Sequence, residues 1–210
     1  MSRQGEPAGQ APRLVAARDP AALDLLVAAV STGDLVALPT ETVYGVACAL
    51  DDAAVERLLV AKGRPASKGI TLLIDRLAEA DHLVLPPAAA TRLADRCWPG
   101  PLTIVLPLRP GVRLPEAVTG GTATVGLRVP DEPLARALAR RVGPLPLTSA
   151  NRSGEAEARD ASAVVAALGA SVAVVVDGGP SPGGVPSTVV AMAADGSWRI
   201  LRPGPLGPAD

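Results

Sequence analysis

Apolar and polar positions in the first 50 residues of the chain predict one helix followed by two strands. Apolar residues recur at helical spacing after Asp19-Pro20, which predicts a helix with Asp19 as its N-cap and Gly33 at its end. Residues 35–38 and 46–50 are short apolar runs, and 39–45 between them is polar. Such runs are typical of buried strands, here joined by a polar segment.

The rest of the chain continues this interleaving of helices and strands. Asp51 or Asp52 caps a second helix, whose apolar face runs toward Lys62. A hairpin is predicted at 187–192 and 198–201, with Asp195-Gly196 in its turn. The other predicted strands cover 70–74, 102–108, 124–129, 145–148 and 172–176, and the other predicted helices cover 87–97, 131–138 and 161–168. Interleaved elements predict an α/β single domain, with helices packed against a twisted mixed sheet.

Composition narrows the class of protein. A chain of 210 residues with 48% apolar residues is long enough for one domain that encloses a cavity. No apolar run reaches the roughly 18 to 20 residues of a membrane-spanning helix, and no secretory signal is present, so we expect a soluble cytoplasmic protein. A net charge of −1 argues against bulk nucleic-acid binding. The single histidine, His82, is interpreted as a helix-surface residue, which disfavours a histidine triad or a multi-histidine metal site.

The use of residue types singles out a few positions. Lys62 and Lys68 are the only lysines in a chain that otherwise uses arginine, and Tyr44 and Asn151 are the only residues of their types. A chain that drifts toward Arg, Ala, Gly and Pro retains other residues where an ammonium, a phenol or a carboxamide has a specific role. These positions are therefore candidates for chemistry.

The most cationic segment is 62–68, with Lys62, Arg64 and Lys68 at a predicted helix-to-strand junction. An arginine fork and two ammonium groups could clamp a polyphosphate, and the alternative is a solvated basic loop. The common phosphate-binding patterns GxxxxGK[ST] and GxGxxG are absent. A bound nucleotide would therefore need another kind of site.

Polar residues also follow or interrupt predicted buried strands. In an extended 39–45 segment, Thr40 and Thr42 project to one side and Glu41 to the other, and they either bind a polar ligand or hold a turn. Ser149 and Asn151 follow a short strand, where open α/β sheets place ligands.

Arg128 lies inside an otherwise apolar strand. A buried arginine needs an anionic partner, either a ligand carboxylate or an internal Asp or Glu. Ser187 and Arg202 flank the last hairpin, and each is a weak signal alone.

Taken in order, the segments PTETVYG, KGRPASKG, WPGPLT, LRVP, SANRSG, PSTVV and LRPG resemble those of the YrdC/Sua5 family of L-threonylcarbamoyladenylate synthases. The resemblance extends from about Leu14 to Pro205. It implies the family's α/β fold with a deep central cavity and a catalytic domain over 13–205, between a flexible tail at 1–12 and a short one at 206–210.

The same resemblance implies a reaction. L-threonine, bicarbonate or CO2, and ATP, which is accompanied by Mg2+, give threonylcarbamoyl-AMP and pyrophosphate for N6-threonylcarbamoylation of adenosine 37 in tRNA. Separate downstream proteins would transfer the group, and direct contact with tRNA would be weak at most.

Residue roles carry over by motif only. The resemblance implies catalytic roles for Lys62 and Arg64, and no protein ligand for a metal. It implies threonine contacts from Thr42, Arg128 and Ser187, and nucleotide contacts from Arg64, Lys68, Thr124, Ser149, Asn151 and Arg202. Leu73 stands where longer members have a histidine that touches threonine, and Glu157 stands where they place a serine near ATP.

Two other functions stay open at this point. One is a binding module for double-stranded or ribosomal RNA, which the near-neutral charge and the scarcity of aromatic residues disfavour. The other is a carbamoyl-adenylate enzyme similar to a domain of hydrogenase maturation proteins, which normally occurs in a longer chain with zinc-finger cysteines.

Overall fold

The computed structural model describes residues 11–207. The predicted tail at 1–12 lies mostly outside this range, as do the last three residues of the one at 206–210. The described strands are β1 (Arg13–Ala16), β2 (Val36–Leu38), β3 (Gly45–Ala47), β4 (Thr71–Leu73), β5 (Leu102–Pro107), β6 (Thr124–Arg128), β7 (Leu145–Ser149), β8 (Val174–Asp177), β9 (Thr188–Met192) and β10 (Trp198–Arg202). The described α-helices are α1 (Ala22–Ser31), α2 (Asp52–Lys62), α3 (Ala88–Cys97), α4 (Glu116–Thr119), α5 (Pro133–Val142) and α6 (Ala161–Leu168).

All ten described strands form one mixed sheet, in the order β1-β8-β2-β3-β7-β4-β6-β5-β9-β10. The pairs β1/β8, β2/β8, β4/β6 and β5/β9 are parallel, and the other neighbours are antiparallel. The predicted α/β class, the mixed sheet and the closing β9–β10 hairpin are confirmed.

Helices cover both faces of the sheet. In β2, Val36 and Leu38 pack in the core with α1 and α5, whereas Ala37 packs in the core with α2, α3, α4 and α6. Side chains alternate between faces along a strand, so one three-residue strand contributes to both layers. The longest helix that the structure describes has 11 residues, and none of the described helices is long and apolar enough to cross a membrane.

Three local predictions were wrong in detail. α1 begins at Ala22, because the Asp19 carboxylate accepts a hydrogen bond from Ala21 N (2.8 Å) and forms a turn ahead of the helix. α5 begins at Pro133, with Glu132 as its N-cap, two residues after the predicted start at 131. His82 is exposed in a turn, not on a helix.

Two elements had no counterpart in the predictions. β1 was missed because only one of its four residues, Val15, is buried, so the strand has no readable alternation. α4, with four residues, is too short to show a helical period.

Candidate active site

A cavity of about 560 Å³ opens on the sheet face that carries α1 and α5, over strands that these helices leave uncovered. Its floor includes several small or hydroxyl-bearing residues, which leave room above the sheet: Gly45, Thr71, Thr103, Thr124 and Gly126. A Cβ at position 45 would lie 2.9 Å from Leu147 Cδ1, so a larger residue there would displace the Leu147 side chain. The walls come from the segments after β2, α2 and β7 and from those around β9 and β10.

The cavity is strongly cationic in a chain whose net charge is −1. Among the described residues that line it, five carry a positive charge (Lys62, Arg64, Lys68, Arg128 and Arg202) and two a negative one (Glu155 and Glu157). Cations gathered in a concave site raise the local concentration of anions. The cavity is therefore suited to a polyanionic ligand.

Lys62 is the last residue of α2 and is only 2% exposed. Its Nζ donates hydrogen bonds to Ser149 O, to Asn151 O (2.5 Å) and to Asn151 Oδ1 (3.5 Å). Burial, and then the neighbouring Arg64, lower its pKa from 10.5 to about 8. The ammonium therefore fixes the loop after β7, and Lys62 lines the cavity.

The basic loop after α2 is held by its own arginine. Arg64 donates from Nε to Lys68 O (3.1 Å) and from Nη2 to Gly69 O (2.8 Å). Burial and the charge of Arg202 lower the pKa of Arg64. Lys68 is exposed at the rim. The loop is thus an ordered cationic wall of the cavity and not only a solvated basic segment.

The hydroxyl network after β2 has a defined direction. Thr40 Oγ1 donates to Val43 O (2.6 Å), so its single proton is used, and in the 2.8 Å contact between the two threonine hydroxyls Thr42 must be the donor. Thr42 Oγ1 in turn accepts from Arg128 Nη2 (3.0 Å). The Thr42 hydroxyl is therefore oriented within the cavity wall.

Arg128 is 7% exposed and has an internal anionic partner. Its Nη2 lies 2.6 Å from Glu41 Oε1, and its Nε donates to Gly100 O (3.3 Å). Of the two alternatives for this arginine, the structure contains the internal carboxylate. Arg128 Nη2 contacts both Glu41 and Thr42, so the 39–45 segment is bent and does not hold these residues on opposite sides, as an extended chain would.

Ser187 immediately precedes β9 and lies between two partners. Its Oγ is 2.8 Å from Thr103 Oγ1, and Arg202 Nη2 donates to Ser187 O (2.8 Å) and to its Oγ (3.2 Å). Burial lowers the pKa of Arg202, an effect that Glu157 opposes and Arg128 reinforces. The start of β9 and the end of β10 therefore form one polar wall.

The loop after β7 is the last wall. Ser149 Oγ donates to Asn151 Oδ1 (2.6 Å), and Asn151 Nδ2 donates to Glu155 O (2.8 Å) and Arg152 O (3.1 Å). Glu157 faces the same space, and its pKa is raised by burial and lowered by Arg202 and Lys62. The carboxamide therefore shapes the loop, and Glu157 adds a negative charge beside two cations.

Tyr44 ties the segment after β2 to the loop after β8. Its hydroxyl donates to Gly179 O (2.8 Å) and accepts from Gly178 N (3.0 Å), and Gly184 N donates to Thr42 O (2.6 Å). This loop leads into Ser187, so the contacts fix the cavity wall on that side.

The structure brings the sequence-predicted site residues together. All ten line the same cavity: Thr42, Lys62, Arg64, Lys68, Thr124, Arg128, Ser149, Asn151, Ser187 and Arg202. Leu73 pairs with Arg128 across β4 and β6, but it is 2% exposed in the core beside α5 and is not among the described lining residues. The partner of Ser187, Thr103, was missed; its one available signal was a hydroxyl in an apolar strand.

A family model and individual related proteins both place the chain in one family. A model of the Sua5/YciO/YrdC family, described as "Telomere recombination", matches residues 28–204. The chain is 43% identical over 174 residues to the threonylcarbamoyl-AMP synthase of Bacillus subtilis strain 168, which covers 81% of this chain and 50% of that protein. It is 40% identical over 174 residues to the threonylcarbamoyl-AMP synthase of Thiobacillus denitrificans, which covers 81% of this chain and 89% of that protein.

Solved structures with a similar fold point to the same family. The structure of P. abyssi Sua5 complexed with L-threonine superposes with a TM-score of 0.85 and 36% identity, covering 92% of this chain and 57% of that one. The chain thus spans about half the length of the B. subtilis and P. abyssi proteins. It spans most of the shorter T. denitrificans protein.

Proposed function

The chain belongs to the Sua5/YciO/YrdC family, and from this premise we propose that it is a threonylcarbamoyl-AMP synthase. Its reaction joins L-threonine, bicarbonate or CO2, and ATP, and releases pyrophosphate. The observation that carries the proposal is the single cavity that combines a cationic wall with a hydroxyl-lined pocket around Arg128. One wall suits a triphosphate and the other an amino-acid carboxylate.

The chemistry requires charge compensation more than a nucleophilic side chain. The threonine amine adds to CO2 and loses a proton, which gives a carbamate. A carbamate oxygen then attacks the α-phosphorus of ATP, and the bond from that phosphorus to the bridging oxygen breaks, so pyrophosphate leaves. Carbamate and triphosphate are both anions, so their approach is the main obstacle. A preorganised cationic wall lowers it.

The residues divide between the two substrates. Thr42, Arg128 and Ser187 hold threonine, with Arg128 directed at its carboxylate. Arg64, Lys68 and Arg202, which line the same cavity, are assigned to the phosphates. The remaining nucleotide contacts come from Thr124, Ser149 and Asn151.

Lys62 acts from behind the loop after β7. Its ammonium hydrogen bonds fix Ser149 and Asn151 in place, and its buried charge adds to the potential at the α-phosphate. A cation held in a site of low dielectric stabilises developing negative charge without reorganisation. We assign Lys62 and Arg64 the catalytic charge stabilisation.

Mg2+ enters this proposal as part of the ATP substrate. Within residues 11–207, no group of three or more His, Cys, Asp or Glu side chains is placed to hold a metal ion. In this proposal the phosphate oxygens of ATP hold the Mg2+. None of the steps assigned to this chain's residues depends on it.

The product has a defined use in this proposal. Threonylcarbamoyl-AMP is an activated acyl donor that hydrolyses in water, which favours formation in a deep cavity and direct use by downstream proteins that modify tRNA adenosine 37. The enzyme would work in the cytoplasm, with at most weak contact to tRNA itself.

The test is pyrophosphate release from ATP by the purified protein, with threonine and bicarbonate omitted one at a time. Release that requires all three substrates is the expected result. Release that is indifferent to threonine would contradict the proposal. Tight tRNA binding without any turnover would favour an RNA-binding module instead.

A further inference from the structure

We propose that Glu41 is a positioning and specificity-determining residue, which reserves the Arg128 end of the cavity for a monocarboxylate and keeps polyphosphate away from it. The inference rests on the proposed function, since it concerns how one cationic cavity keeps two anionic substrates apart.

The first observation is the place of Glu41 behind Arg128. Arg128 lines the cavity, whereas Glu41 is not among the described lining residues. Arg128 Nη2 donates to Glu41 Oε1 (2.6 Å) and Thr42 Oγ1 (3.0 Å), and Nε donates to Gly100 O (3.3 Å). These bonds use the Nε and Nη2 side of the guanidinium and leave Nη1 for a ligand.

The second observation is that this carboxylate is incompletely satisfied. Glu41 Oε2 is buried and has no hydrogen-bond partner among the described residues. A buried charged oxygen without a donor is costly, and well-packed apolar residues often stabilise such a site equally well. The stability of the fold therefore does not explain the negative charge of Glu41, which points to a functional role.

The third observation is the distribution of charge around the cavity. Within residues 11–207, Arg128 forms an ion pair with Glu41 at 2.6 Å, whereas no carboxylate lies within 4 Å of the charged nitrogens of the other cavity cations, Lys62, Arg64, Lys68 and Arg202. Glu157 also lowers the positive potential near Lys62 and Arg202, but without a close ion pair, so the compensation is strongest at Arg128. A triphosphate is attracted in proportion to the positive potential, so it favours the less compensated wall. Arg128 Nη1 is still available to donate a hydrogen bond to the single carboxylate of threonine.

The test is the effect of inorganic tripolyphosphate on threonine binding, measured by calorimetry with the wild-type protein and with Glu41→Gln. The amide keeps the shape and one acceptor but removes the charge. In the wild type, saturating tripolyphosphate is expected to change the threonine Kd by less than about twofold. In Glu41→Gln we expect it to raise that Kd at least about tenfold, which corresponds to ~1.4 kcal/mol.

Two further variants separate charge from structure. Glu41→Asp keeps the charge, so it is expected to retain wild-type resistance to tripolyphosphate even where threonine binds more weakly. Asp75→Asn is the matched control, because Asp75 pairs with Arg136 Nε (2.8 Å) and Arg140 Nε (3.0 Å) and does not line the cavity. It is expected to behave as the wild type.

The inference is overturned if tripolyphosphate competes with threonine in the wild type, a result that does not depend on the folding of any variant. It is also overturned if Glu41→Gln and the wild type respond alike, or if Asp75→Asn responds as Glu41→Gln does. A wild-type protein that binds threonine but releases no pyrophosphate would instead contradict the proposed function.

Discussion

The buried ammonium of Lys62 makes the stability of this protein depend on pH in a way that can be isolated by substitution. In the folded chain burial lowers the pKa of Lys62 to about 8, whereas the unfolded chain titrates near 10.5. Between these values the unfolded state holds a proton that the folded state has released. Raising the pH therefore favours the folded state.

The magnitude follows from the two pKa values. A lowering from 10.5 to about 8 is equivalent to roughly 3 kcal/mol, of which about 2 kcal/mol develops between pH 7 and pH 9.5. Lys62→Met removes the titrating group and fills a similar volume. The free energy of unfolding of the wild type, minus that of Lys62→Met, should therefore rise by about 2 kcal/mol over this interval.

The assay is urea denaturation of both proteins at several pH values between 7 and 9.5. The difference between the proteins is the relevant quantity, because Tyr44 and Cys48, whose pKa values burial raises, titrate in both and cancel. A difference that stays constant, or that falls as the pH rises, would refute the assignment of a buried, destabilised ammonium to Lys62.

Three other predictions test the site. Arg64→Ala should lower turnover at least about a hundredfold, because its charge is lost from the cavity, while the loss of its two bonds to an exposed loop should lower the melting temperature only slightly. Steady-state kinetics with unimpaired turnover would contradict its role. Glu157→Gln should tighten ATP binding roughly threefold at low salt and less at high salt, because a negative charge beside the phosphates is removed. Weaker ATP binding measured by calorimetry would contradict this prediction. Tyr44→Phe should cost about 1–3 kcal/mol of stability in urea denaturation, because Gly178 N and Gly179 O lose their shared partner; an unchanged midpoint would count against the tether.

The fold shows which parts of a structure local pattern can predict. Helices with an apolar face, such as α2 and α6, were predictable almost to the residue, because their period is complete within the element. β1 was not, since an edge strand buries only Val15. The strand order was not predictable either, because the pairing of β4 with β7 and β6 joins segments that are distant in the chain.

In the site, too, the sequence predicted which residues take part but not which contacts they make. The ten predicted residues line one cavity. They could be predicted from the sequence because each of them belongs to a recognisable motif. Lys62 lies four residues after the buried Leu58, on the same helix face, and this spacing is the signal that it would be buried. Its contact with Asn151 and the pairing of Arg128 with Glu41 depend on loops that meet only in the folded chain.

The central claim is that one cavity joins a threonine carbamate to the α-phosphate of ATP. The most direct measurement supplies ATP labelled at the α-phosphate together with labelled bicarbonate and unlabelled threonine, and separates the products by chromatography. The account predicts one nucleotide product that carries both labels, and only when threonine is present. A nucleotide product without the bicarbonate label, or one that forms equally well without threonine, would contradict it.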